Sequence, residues 1–163
     1  MINKALSRLR LLLTDRELIP YLFLAGIALG MRLWDLGVRG ISHDESLHVF
    51  YSWNLAEGNG YVHDPMIHGP FQFFGTALNY LVFGDSDFTA RLLPAFFGAA
   101  LVLLPFLFRK QLGRWGGLAA AILLTVSPTM LYFSRYARND IYIVIFVSFV
   151  EYAYQFLQTF SVF

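Results

Sequence analysis

Residues 42–70 gather all four histidines of the chain (His43, His48, His63 and His68) and four of its eleven acids (Asp44, Glu45, Glu57 and Asp64). A positioned carboxylate can take the proton of a reacting hydroxyl, and imidazole together with carboxylate can hold a divalent metal. Asp44 and His48 stand four apart, on one face of a helix. His63 and His68 match no standard ligand spacing and no HExxH pair occurs. The four histidines therefore stay open between a metal site and ordinary interfacial hydrogen bonding. Glu45 also has a structural reading: with Ser42 three residues before it, it forms a capping box, and acids suit the first turn of a helix. Asp44 is not needed for the cap, which leaves it available for chemistry.

Two further groups of residues stand out. Arg135-Tyr136-Ala137-Arg138-Asn139-Asp140 places two arginines in a turn between apolar runs. Guanidinium suits an anion such as a lipid phosphate; headgroup anchoring with an Arg138–Asp140 contact is the competing reading. Ser148, Glu151, Gln155 and Gln158 then make a polar stripe along the last apolar run. A carboxyl facing lipid is costly, so the stripe should meet protein or a water-filled cavity. Glu151, Gln155 and Gln158 are accordingly expected to contact other membrane chains or the remainder of a longer chain.

These residues are mounted on a chain made mostly for lipid. Of its 163 residues 57% are hydrophobic and 14% charged, against about 25% charged in soluble domains. With mean hydropathy +0.55, an all-α integral membrane protein is expected, with membrane lipid as its surroundings. The absence of cysteine excludes disulfides and thiol chemistry, and nothing in the charge pattern points to nucleic acid. Apolar runs predict four spans, at 18–36, 89–109, 115–134 and 140–161, with Pro128 as a kink. The 37–88 loop should carry two interfacial helices, 43–56 and 71–83, because 13 residues are too few to cross a bilayer. Residues 1–17, with leucines at helical spacing among basic residues, read as an amphipathic surface helix or simply the approach to the first span. Arg32 and Asp35 sit three apart and are expected to pair.

Orientation follows from charge. Placing the N-terminus and the 109–114 loop on one side collects seven basic residues there and leaves four opposite. The seven belong on the cytoplasmic side, so the histidine-rich loop faces outward, into periplasm, exterior or lumen.

The order of motifs resembles a known family. The Asp44-Glu45 pair, "WNLAEGNGY", His68-Gly69-Pro70-Phe71, "FGDSDFTARLLPAFFGA" and "SPTMLYFSRYARNDIY" are similar, in order and spacing, to the N-terminal part of C-type membrane glycosyltransferases. The nearest branch is that of protein mannosyltransferases and aminoarabinose transferases, especially prokaryotic dolichyl-phosphate-mannose-dependent members. No single motif is specific, and the resemblance runs from about Leu18 to the end. It implies a prokaryotic cell membrane, and transfer of a sugar from a polyprenyl-phosphate carrier on the outer membrane face, in some relatives with a divalent metal. Asp44 would be the catalytic base with Glu45 beside it, Asp140 the second acid, Arg91 a supporting arginine and Arg138 a phosphate partner. Such enzymes continue for many more spans, so this stretch is expected to be incomplete for catalysis by itself. A different reading makes it a non-catalytic accessory subunit of a larger membrane complex, such as a respiratory or photosynthetic assembly; a transporter or channel is a third.

Overall fold

The computed structural model describes residues 15–60 and 69–161. The basic segment 1–14, and His63, Asp64 and His68, lie outside the described residues. Every regular element among those described is an α-helix: α1 (Leu18–Leu33), α2 (His43–Ala56), α3 (Phe71–Phe83), α4 (Asp87–Leu101), α5 (Leu104–Leu107), α6 (Arg109–Val126), α7 (Pro128–Phe133) and α8 (Asp140–Ser161). The protein is an all-α integral membrane protein.

Of the four expected spans, two are long and apolar enough to cross a bilayer: Asp87–Leu107, which runs through α4 and α5, and Asp140–Gln158. The first span stops short. Trp34 leaves the helix at ψ 120° and Asp35 turns back at φ 50°, a left-handed conformation that Asp tolerates better than most residues. At 16 residues, α1 reaches roughly 24 Å against a hydrocarbon layer of about 30 Å. The expected pair of Arg32 and Asp35 does not form, because Asp35 lies beyond the helix that would have set their spacing. Arg32 turns inward and is fully buried.

The third expected span is divided. Gly113, at φ 71° and ψ 166°, breaks the first turns of α6, and Ser127, at ψ 122°, separates α6 from α7. Pro128 has no N–H to continue the helical ladder and disfavours helical geometry in the residue before it. In α4 the start is set locally: Ser86 Oγ accepts from the Thr89 N–H at 3.1 Å, and Thr89 Oγ1 accepts from the Ser86 N–H at 2.9 Å.

Small residues bring the helices together. Ala28, Ala99 and Ala121 are buried with Tyr21, Val102 and Phe106 where α1, α4, α5 and α6 meet. A Cβ on Gly117 would lie 2.6 Å from the Tyr21 hydroxyl. Phe71, Phe97, Tyr142 and Phe146 interlock edge to face, tying α3 to α4 and α8. Helix α2 packs on α3, and α3 on α4. Along α8, Gln155 donates to Glu151 at 2.8 Å and accepts from Gln111 of α6 at 2.5 Å. This same chain thus meets part of the polar stripe, while Glu151 and Gln158 remain exposed.

Candidate active site

The site is built around the start of α2. Ser42 is extended, at φ −78° and ψ 166°, and forms the N-cap. Its N–H and hydroxyl donate to Glu45 Oε2 at 3.1 and 3.0 Å, as the capping box requires. The Ser42 hydroxyl also lies 2.7 Å from the Tyr136 hydroxyl. Local sequence therefore folds Glu45 back under the helix, where it is fully buried.

Burial on this scale has to be compensated, and distant parts of the chain do so. Arg91 of α4 donates from Nε to Glu45 Oε1 at 2.7 Å and from Nη2 to Oε2 at 2.8 Å, a paired arrangement. The Ala137 N–H donates to Oε1 at 2.9 Å, and Arg39 Nη2 reaches Oε2 at 3.0 Å. Burial alone would raise this carboxyl. The Arg91 hydrogen bonds, the Ala137 and Ser42 N–H groups and the Arg91 charge outweigh it and hold the pKa at about 2.

Arg91 has no hydrogen left for a ligand. Its remaining N–H groups bind the carbonyls of Leu36 at 3.1 Å, Arg39 at 2.6 Å and Gly40 at 3.1 Å. Together Glu45 and Arg91 fasten four segments: the α1–α2 connection, α2, α4 and the turn before α8. The structure thus places Glu45 and Arg91 beneath the site as its support.

Asp44, one residue earlier, points outward. Arg138 Nη1 approaches Asp44 Oδ2 at 3.4 Å, and Arg138 Nε lies 3.7 Å from Asp140 Oδ2. One half-exposed guanidinium thus bridges two acids that enter from the starts of α2 and α8. Asp140 lies in the first turn of α8, where the helix dipole favours its charge.

Beside this group is a cleft of about 200 Å³ lined by Asp35, Leu36, Arg39, Arg91, Tyr132 and Arg135, with Leu131. Arg39 lies over the Tyr136 ring at 5.1 Å, and Tyr132 stacks on Tyr136 at 5.3 Å between centroids. Tyr132 and Arg135 lie within the SPTMLYFSRYARNDIY stretch; Arg39 belongs to no motif, and its one sequence signal was being a basic residue on the side where such residues are scarce.

Two of the four histidines, His43 and His48, fall among the described residues. His43 is exposed and His48 is buried, its ring 5.3 Å from that of Phe73. Asp44 and His48 stand four apart in α2, as expected for one helix face, and differ in exposure: Asp44 is exposed and His48 buried. Among the described residues no three His, Cys, Asp or Glu side chains are grouped to hold a metal.

The sequence pattern of dolichyl-phosphate-mannose-protein mannosyltransferases matches residues 67–159, more than half of the chain. No curated protein and no solved structure matches significantly. Arg91, Ala137, Arg138 and Asp140 fall inside the matched stretch, while Asp44 and Glu45 precede it and join it through the contacts of Glu45 with Arg91 and Ala137 and of Asp44 with Arg138. By that match the chain belongs to the dolichyl-phosphate-mannose-protein mannosyltransferase family.

Proposed function

We propose that the chain is a membrane module of a glycosyltransferase that moves a sugar from a polyprenyl-phosphate carrier to an acceptor hydroxyl on the outer membrane face. The observation that carries this reading is the Asp44–Arg138–Asp140 chain of charges, mounted on the Glu45–Arg91 support. In this scheme the exposed Asp44 carboxylate accepts the proton of the acceptor hydroxyl. The hydroxyl oxygen forms the new bond to the anomeric carbon, and the bond from that carbon to the phosphate oxygen breaks. The electron pair leaves with the carrier phosphate, whose charge Arg138 meets, assisted by Arg39 and Arg135 of the neighbouring cleft. Asp140 keeps Arg138 oriented when Asp44 is engaged with the acceptor.

The test is Asp44→Asn in the complete protein, in membranes, with a polyprenyl-phosphate sugar donor. General-base catalysis is worth about 10²–10⁴-fold, so transfer should fall by that order while the thermal unfolding midpoint stays in place. Undiminished transfer would remove Asp44 from the mechanism.

A further inference from the structure

Arg32 and Arg91 are the largest fully buried side chains among the described residues, yet, unlike Arg91, Arg32 has no carboxylate beside it, and its Nε has no hydrogen-bond partner there. It spends its hydrogens on backbone. Nη1 donates to the Ala28 carbonyl of its own helix at 3.1 Å, and Nη2 to the Leu124 carbonyl of α6 at 3.2 Å.

The identity of that second acceptor is informative. In an unbroken helix the Leu124 carbonyl would accept from the N–H of residue 128. Residue 128 is proline and has none. A buried carbonyl without a donor is unfavourable, and inside a membrane there is no water to replace one. A second bond runs the opposite way between the same regions: Arg135 Nη2 donates to the Trp34 carbonyl at 2.6 Å. The end of α1 thus donates to the last turn of α6 before the break and accepts from Arg135 after it, so it spans the break from both sides. Gly98 of α4 leaves the space, since a Cβ there would lie 2.8 Å from Arg32 Nε and collide with Ser134.

We propose that Arg32 is a positioning residue: it supplies the hydrogen bond that Pro128 withholds from the Leu124 carbonyl, and so fixes the break that aims residues 127–140, with Arg138 and Asp140, at Asp44. The proposal concerns the aim of that segment and stands apart from whether sugar transfer occurs.

The chain has no cysteine, so spin labels can be placed cleanly at Leu47→Cys on α2 and Thr129→Cys on α7, both exposed positions. Arg32→Met should replace a narrow interlabel distance with a broad one, and lower the folded-to-unfolded ratio roughly tenfold, as leaving a buried carbonyl unmet does. Adding Pro128→Ala restores an N–H that reaches the Leu124 carbonyl only by closing the break, so it should recover a large part of the lost stability while moving the interlabel distance away from that of the parent; Arg32→Lys, which keeps a donor, should fall between parent and Arg32→Met. If Arg32→Met yields no folded protein, the recovery is read as folded yield in the double variant. A narrow distance in Arg32→Met, or losses from the two substitutions that simply add, would overturn the proposal.

Discussion

Asp44 and Glu45 are sequence neighbours with opposite surroundings, because successive helix positions point about 100° apart. Asp44 is exposed, at 58% of its side chain. Glu45, at 0%, is a structural anion. Replacing it with Gln would leave Arg91 buried against a neutral partner, a change that costs about 3–5 kcal/mol. Thermal unfolding of Glu45→Gln in detergent should therefore begin well below that of the parent. The pH dependence has a definite sign. The folded pKa, about 2, lies below the ordinary value of 4.5, so the stabilisation is fully present above pH 4.5 and is lost as pH falls toward 2. On the order of 3 kcal/mol is at stake. The parent should weaken across that interval while Glu45→Gln loses much less; parallel curves would show that the ion pair is not what holds the segments together.

At the scale of elements, glycines decide how closely helices approach. Gly98 faces the side chains of Arg32 and Ser134, whereas a Cβ at Gly26 on α1 would meet nothing within 4 Å. The same substitution should then have opposite effects. Gly98→Ala overpacks the junction of α1, α4 and α7 and should cost about 1–3 kcal/mol. Gly26→Ala restricts only the unfolded chain and should gain roughly 0.4–1 kcal/mol. Unfolding midpoints of the two variants in one detergent would check the pair, and equal shifts would contradict this account of the packing.

At the scale of the whole molecule, basic residues gather at the α6 start, where Arg109 pairs with Asp15 at 2.6 Å. The Glu17 N–H donates to Asp15 at 2.9 Å and, with the Arg109 charge, holds that carboxyl below its usual range. The opposite end carries the Asp44 site. Seven basic residues against four predict that the pairing of Asp15 with Arg109 faces the cytoplasm. A membrane-impermeant maleimide applied to intact cells should label Trp53→Cys on α2 directly, and Lys110→Cys only after permeabilisation. The reverse pattern would invert the topology and place transfer on the inner face.

The sequence by itself determined what depends on near neighbours. Abundant apolar side chains with few charges made helices in lipid the workable solution, because backbone groups there must be satisfied within a segment. The capping box of Ser42 and Glu45 acts over three residues, so the start of α2 was legible, as was the availability of Asp44. Glycine and aspartate at 84–87 marked the end of α3. What only the tertiary structure decided depends on residues far apart in the chain. Glu45 and Arg91 are 46 residues apart and Asp44 and Arg138 are 94 apart, so no local pattern reveals that the first pair is support and the second is exposed. The Arg32–Asp35 expectation failed because α1 ends at Leu33, and the guanidinium instead found a carbonyl that a proline 96 positions on had left without a donor. Burial and long-range partners, which sequence spacing does not encode, separated the buried residues that hold this site from those left exposed.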